Sequence, residues 1–360
     1  MNRLLYLVKR LLLGLPVVLF GVTMTFLILY LGPLDPVNTI LGRDATPEDI
    51  RQLRIALGYI YPNGEPVPLW DQYLMTMRDL FTLNFGNSWV IQRNTPVVSL
   101  IAARMPATLW LGWWSVVIAL VIGIPAGLFA GLRSNTMSDY LTSGGGILWR
   151  AMPNFWLAVM IAGSLTAGGA FSWYRDFGPN TDVIGTSDAL GAMLGPSPFA
   201  GIPVLGVIPD PNLGNILTAF KWILPAALVL GSASMGNEIR IGRTAVMESK
   251  NSKYVETAKA KGLASRRIIL KHVGRNALIP LLPVIMGEFY LLIGGALLVE
   301  LVFAINGLGS MFLRATIGAD VPMVMALAFI FVIITVAFNI VQDLLYTVVD
   351  PRISLEGTER

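Results

Sequence analysis

The sequence predicts an all-α integral membrane protein of six transmembrane helices, with both termini on the cytoplasmic side. Three observations carry this reading. The 360 residues are 54% hydrophobic and only 13% charged, with a mean hydropathy of +0.66. Several apolar runs exceed the ~20 residues that a helix needs to cross a hydrocarbon core of ~30 Å. The basic residues are gathered at places that alternate along the chain with those runs. In lipid the backbone must satisfy its own hydrogen bonds, so runs of this length are helices.

Taken in order, the first run is 11–31, behind the basic start "MNRLLYLVKR". It is longer than a secretory apolar region and no A-x-A site follows, so residues 1–34 read as an uncleaved first helix. Residues 35–104 form an extracytoplasmic segment with short amphipathic helices. In "RDATPEDIRQLRIALG", Thr46 suits an N-cap, Pro47 the first helical position, Glu48 and Asp49 the first turn, and Gly58 the stop. Residues 105–350 form the core, with further strong runs at 107–132, 283–305 and 323–349. Two weaker runs, near 147–171 and 216–236, are broken by Gly, Pro or Arg. Gly123, Gly127 and Gly131 make two overlapping GxxxG steps, which suit close helix packing within the subunit or against a second membrane subunit. Pro125, Pro225 and Pro283 are candidate kinks. Residues 172–215, rich in Gly, Pro, Ser and Asp, read as a long external loop, and 351–360 as a cytoplasmic tail.

Charge sets the orientation. Residues 1–10 hold Arg3, Lys9 and Arg10 and no acid; residues 237–275 hold ten Lys or Arg against Glu238, Glu248 and Glu256. The opposite-side segments are acidic on balance: six Arg face seven acids over 35–104, and Arg175 faces four Asp over 172–215. Glu288, Glu300 and Asp343 lie in or beside apolar runs. Intramembrane acids either line a water-filled path or act as packing partners near helix ends. Arg150, near the inner end of the third run, suits snorkelling or pairing with an acid.

The most basic segment contains "YVETAKAKGLASRRIILKHVGRNALIP", residues 254–280. Ser252 suits the cap of a short helix with Glu256 in its first turn, and Lys259 and Lys261 near its end complement the helix dipole. Gly262 suits a left-handed stop. Tyr254, Val255 and Ala258 share a face by spacing. The residues alone leave two readings open: a stretch lying on anionic lipid headgroups, or a helix docking into a partner's groove. No set of stacking aromatics accompanies the charge, which argues against nucleic acid.

Resemblance separates these. "ETAKAKGLASRRIILKHVGRNALIP" is similar to the EAA loop of ABC-importer permeases, in the version of the oligopeptide, dipeptide and nickel permeases. Thr257, Ala258, Lys259, Ala260, Lys261 and Gly262 match its first part; His272, Arg275, Asn276, Leu278 and Pro280 match its second. "KRLLLGLPVVLFGVTMTFLI", "FGNSWVIQRNTPVVSLIAARMPATLWLG", "GIPAG", "MPNFW", "GGALLVELVFAINGLG" and "DLLYTVVDPRI" resemble further passages of that family in the same order. Leu34 stands where the family's early PGDP has Gly, Asn84 replaces the Asp of its GDLG, and 172–215 is longer than usual.

The resemblance implies the type I importer permease fold and a transport subunit without covalent chemistry. It implies an ATPase-coupling interface at Tyr254, Val255, Glu256, Thr257, Ala258, Lys259, Ala260, Lys261 and Gly262, on a 253–262 helix. It also implies an external re-entrant loop over 303–322, with Glu300, Asn306, Gly307 and Gly309 as candidate pathway or loop residues; the plainer reading is an ordinary connection. Expected partners are a homologous second permease, two ABC ATPase subunits, an extracytoplasmic solute-binding protein and the bilayer. ATP and Mg belong to the ATPases, because the chain has no GxxxxGK[ST] loop and itself should bind no cofactor. The expected cargo is a di- or oligopeptide; oligosaccharides, nickel chelates and glutathione-like solutes are the alternatives. Two other classes compete. A stand-alone secondary transporter or channel should show internal repeats, and none stands out. A membrane-embedded protease needs His or Lys within the spans, whereas His272 lies in the basic stretch and Lys is almost absent from the runs.

Overall fold

The computed structural model describes residues 3–33, 35–42, 45–178, 213–290 and 296–349. Most of the expected external loop and the whole 351–360 tail lie outside these. Among the described residues, regular structure is helical, with only two isolated bridges, Ile60 to Pro66 and Asn87 to Pro96. Five helices among the described residues are long and apolar enough to cross a membrane: Val8–Leu31, Val97–Leu132, Ile216–Lys250, Ser265–Glu288 and Val321–Leu345.

The chain begins with α1 (Arg3–Leu31), then α2 (Pro36–Leu41), α3 (Pro47–Ala56) and α4 (Leu69–Phe81). Helix α3 forms as its sequence predicts. Thr46 and Asp49 make a reciprocal capping box, and Gly58 leaves the helix at φ 78°. Helix α5 (Val97–Ile118) runs through a wide π turn, Ala119–Gly123, into α6 (Ile124–Leu132). Next come α7 (Met137–Arg150), α8 (Asn154–Leu165) and α9 (Trp173–Asp176). The third apolar run is therefore two helices rather than one. Pro153 stands at the start of α8 and disfavours helical backbone before it. With 12 residues, α8 rises about 18 Å, short of a full span.

Helix α10 (Leu213–Lys250) is 38 residues long. The fourth span was expected to end near 236, yet residues 237–250 continue the helix. They carry no breaker, and Ile239, Ala245 and Val246 bury a helical stripe. Pro225 sits inside α10 without ending it, whereas Pro125 and Pro283 each stand just beyond a π or 3-10 turn. Then follow α11 (Lys253–Ala260), the short α12 (Ser265–Arg267), a π turn (Ile268–Gly274) and α13 (Arg275–Ala277). A 3-10 turn (Ile279–Leu281) leads to α14 (Leu282–Tyr290), α15 (Ala296–Val302), α16 (Leu308–Ile317) and α17 (Val321–Val349). The fifth helical stretch thus starts at Ser265, well before the expected 283. The expected 237–275 loop is largely helix.

The chain divides into two compact units, one of residues 1–105 with 310–340, the other of residues 106–309 with 341–360. In the first, α1 packs closely on α17: a Cβ at Gly21 would meet Val332 at 3.0 Å. Phe26, Tyr30, Tyr73, Tyr59 and Trp89 form a chain of ring contacts with centroids 4.2–6.2 Å apart. The buried Asp320 carboxylate accepts the Ser88 hydroxyl and the backbone N–H groups of Trp89, Val90 and Ile91. This single acidic side chain holds the 88–91 turn.

In the second unit, α10 is the spine. Its Ala219, Ile223, Ala226, Ala227 and Leu230 are fully buried and pack with Leu111, Leu157, Ala162 and Phe303. The three glycines of α6 and its π turn face α10. A Cβ at Gly123 would lie 2.9 Å from Glu238 Cβ, at Gly127 2.8 Å from the Glu238 carbonyl, and at Gly131 2.6 Å from Val246. They serve packing within the subunit, the first of the two roles that their spacing allows. Small residues there let two backbones touch.

Gly127→Val should therefore lower the melting temperature and yield of the purified protein sharply, by more than the ~1–3 kcal/mol of ordinary overpacking, because backbone is the obstacle. Gly144→Ala, where a Cβ meets nothing within 4 Å, should change neither; equal losses at both sites would refute the seam.

Candidate functional site

The basic region is built on the end of α10. Helix α11 starts at Ser252, which has the extended N-cap backbone (φ −81°, ψ 150°). Its hydroxyl donates to the Ser249 carbonyl at 2.6 Å and makes no side-chain cap bond to the helix. The helix ends at Lys261, and Gly262 follows at φ 71°, the left-handed conformation that the sequence predicts there.

Val255 and Ala258 are 1% and 5% exposed. They pack with Ala245, Val246, Ile268, Val273 and Ala277 in a small core. Burying one valine contributes about 1.5–3 kcal/mol, enough to fix an eight-residue helix that would not hold alone. This corrects one expectation. Tyr254, Val255 and Ala258 do not form a common apolar face toward a partner. Val255 and Ala258 are turned inward, and Tyr254 is exposed, with its hydroxyl 2.8 Å from Ser249 Oγ. The surface left outside consists of Tyr254, Glu256, Thr257, Lys259, Ala260, Lys261 and Gly262. It is a polar ledge of small and charged groups on an apolar mount.

Part of the basic charge is used internally. Asp139, at the start of α7 and 0% exposed, receives a two-pronged ion pair from Arg243 of α10: Nε to Oδ1 at 2.6 Å and Nη2 to Oδ2 at 2.8 Å. The Asn135 N–H and the Ser143 hydroxyl also donate to this carboxylate. Lys250 donates to the Leu132 carbonyl at 3.3 Å, at the C-terminus of α6 where a cation is favoured. Arg240 donates to Asn237 Oδ1, and so does Arg150. Arg150 thereby ties the end of α7 to α10. Sequence spacing gave no sign of the Asp139–Arg243 pair, because the partners are 104 residues apart.

The other candidate cluster lies at the α15–α16 turn. Glu300 is fully buried and accepts the Thr108 hydroxyl at 2.7 Å, while the Leu308 N–H donates to Thr108 Oγ1 at 2.7 Å. Gly307 abuts the Glu300 carboxyl, and a Cβ at Gly309 would come 2.8 Å from Leu297 Cα. Of the four residues singled out here, only Asn306 is exposed. Glu300 thus ties the turn to α5 through Thr108. Within the 303–322 stretch, α16 occupies 308–317. Among the described residues no group of three or more His, Cys, Asp or Glu is arranged to hold a metal ion. Lys221, within the Ile216–Lys250 span, donates to the Arg175 carbonyl at 2.7 Å.

The Arg243 fork holds the Asp139 carboxyl down to about 2, against the opposing effect of burial. The folded value lies below the ordinary ~3.9, so its contribution to stability is fully present above about pH 4 and is lost as pH falls toward 2. Asp139→Asn should lower the melting temperature at neutral pH and flatten its decline between about pH 4 and pH 2. Parallel curves for the two proteins across that window would show that the pair contributes nothing.

Comparison with known proteins adds a separate line. The family profile described as binding-protein-dependent transport system inner membrane component matches residues 123–355. The profile for the N-terminal part of such membrane components matches residues 3–112. A dipeptide transport system permease protein of Alkalihalophilus pseudofirmus is 31% identical over 351 residues, covering 97% of this chain and 98% of its own. An oligopeptide transport system permease protein of Bacillus subtilis is 29% identical over 348 residues, covering 97% and 98%. A dipeptide transport system permease protein of Escherichia coli is 29% identical over 349 residues, with the same coverage.

Proposed function

The chain belongs to the binding-protein-dependent transport system inner membrane components, and on that premise we propose that it is the permease half of an ATP-driven importer of di- or oligopeptides. It is a multi-pass membrane transport subunit. Peptide as cargo rests on the names of its relatives. The observation that carries the mechanism is the polar ledge of α11, fixed to the subunit through Val255 and Ala258.

In this reading the ledge docks on one of two ABC ATPase subunits, which bind ATP and Mg. Glu256, Thr257, Ala260 and Lys261 offer charge and close approach, while Val255 and Ala258 transmit the motion inward. Helix α10 ends at Lys250, a short turn before the ledge, and reaches from there into the unit's core. When the ATPases close, their differential contacts with the two states shift the bundle between inward-open and outward-open arrangements. A homologous second permease supplies the other half of the path, and a solute-binding protein delivers cargo from outside. Both termini and α11 lie in the cytoplasm, as the basic residues argue.

The test is a mild-detergent pull-down of tagged protein beside Ala260→Trp, which adds bulk to the exposed ledge. Wild type should bring down a second permease and an ATPase. The variant should lose at least about ten-fold of the ATPase, the scale of one disrupted contact of ~1.4 kcal/mol, and should keep the second permease. Wild type coming down alone, or a variant with full ATPase and full transport, would leave the ledge without this role and move a stand-alone transporter forward.

A further inference from the structure

Glu238 on α10 and Glu288 on α14 belong to the same unit, and both are buried, 0% and 5% exposed. Both carboxyl oxygens of Glu238 and Oε2 of Glu288 have no hydrogen-bond partner among the described residues. The two carboxyls are within hydrogen-bonding reach of one another. Glu238 Oε2 lies against the bare backbone of Gly123, where a Cβ would come within 3.0 Å, so no side chain reaches it from there. The neighbouring cations are engaged elsewhere. Arg150 and Arg240 both donate to Asn237 Oδ1, one residue along, and Arg243 is held by Asp139. The π turn and α6, which pack on α10, carry no ionisable side chain. In the segment before α14, Lys271 and Arg275 are exposed and His272 is half-buried. Glu300 of α15 is bonded to Thr108. Besides Glu288, the charge that acts on Glu238 is that of Arg150.

An ionised carboxylate only accepts hydrogen bonds, and two of them buried side by side repel with no counter-charge between them. One proton removes both difficulties. It makes the pair a donor and an acceptor joined by a charge-assisted O–H···O⁻ bond, and it leaves a single negative charge in the field of Arg150. We propose that Glu238 and Glu288 hold one proton between them, and that this shared proton clasps α14 to α10. A metal ion fits the pair less well. Calcium takes about six to eight oxygens, and among the described residues no third His, Cys, Asp or Glu joins these two. Parting α14 from α10 either strands a buried charge or releases the proton, so the clasp makes that movement sensitive to pH. Once the proton is gone, the two carboxylates push the helices apart. The site depends neither on the nature of the cargo nor on the role of the ledge.

The test compares the full chain, purified in nanodiscs, with a double variant, Glu238→Gln and Glu288→Gln. The two amides keep the shape of the pair and can bond to one another. Infrared spectra at neutral pH should show one more protonated carboxyl, shifted by heavy water, in wild type than in the variant. A difference of none means that both acids are ionised, as around a bound cation, and a difference of two means that both are neutral; either overturns the proposal. Melting curves give a second reading. The folded protein keeps a proton that the unfolded chain, with ordinary glutamates near ~4.3, gives up. Stability is therefore lost as pH rises, by up to about ten-fold in the folding equilibrium per pH unit. Between about pH 6 and about pH 8 the wild-type melting temperature should fall relative to that of the double variant, and a constant difference would contradict the clasp. Should the double variant fail to fold, Glu238→Gln takes its place. Its amide donates to the Glu288 carboxylate without a proton, so the same loss of one protonated carboxyl is expected, and no loss overturns the proposal.

Discussion

The backbone contact between Gly127 and the Glu238–Ile239 stretch is the constraint on which the basic side of this molecule depends. It lets α6 lie against α10 with no side chain between them. That closeness brings the end of α6 beside the end of α10, where Lys250 reaches the Leu132 carbonyl. It leaves the outer part of α10 as a helix with an apolar stripe, Ile239, Ala245 and Val246, on which a short neighbour can be mounted. A residue with a side chain at Gly127 would have to push α10 away, and the ion pair and the ledge would lose their common support.

A second principle is the division of charge. A segment that carries ten basic residues looks from composition like a uniform positive surface. The structure sorts it. Arg243 is committed to Asp139, Lys250 to the end of α6, and Arg240 to Asn237. Lys253, Lys259, Lys261, Arg266, Arg267, Lys271 and Arg275 remain at the surface. The committed cations hold helices together, and the others are available to lipid and to partner subunits. Asp139 is buried while Arg243 is partly exposed, and removing one partner of such a forked, charge-assisted pair strands the other, so the internal group is where structural sensitivity is expected.

Much of this was legible in the sequence where local chemistry decides. Thr46, Pro47 and Asp49 start a helix by capping, and Gly262 stops one by its left-handed backbone, whatever surrounds them. The GxxxG spacing named the residues of the seam, though not the partner. The misreadings came where tertiary packing overrides composition. Polar residues at 237–250 looked like loop because they are charged, yet their apolar stripe is buried by α6 and α11. Val255 and Ala258 looked like a partner's anchors because their spacing fits a groove; that spacing fits an internal core equally well. For Glu300 the sequence leaves a pathway role and a packing role open, and its bond with Thr108, 192 residues away, is a contact that no local pattern displays.

The proposed coupling requires α11 and the outer part of α10 to move as one rigid piece, so that force applied to the ledge reaches the bundle undiminished. The chain contains no cysteine, so spin labels can be placed singly at the exposed positions Thr244 and Thr257. Their separation, measured by double electron–electron resonance in the assembled transporter without nucleotide and with bound ATP, tests the claim directly. One narrow distance common to both states is expected. A second distance appearing with ATP would mean that the ledge swings on its mount and that Val255 and Ala258 do not transmit the motion.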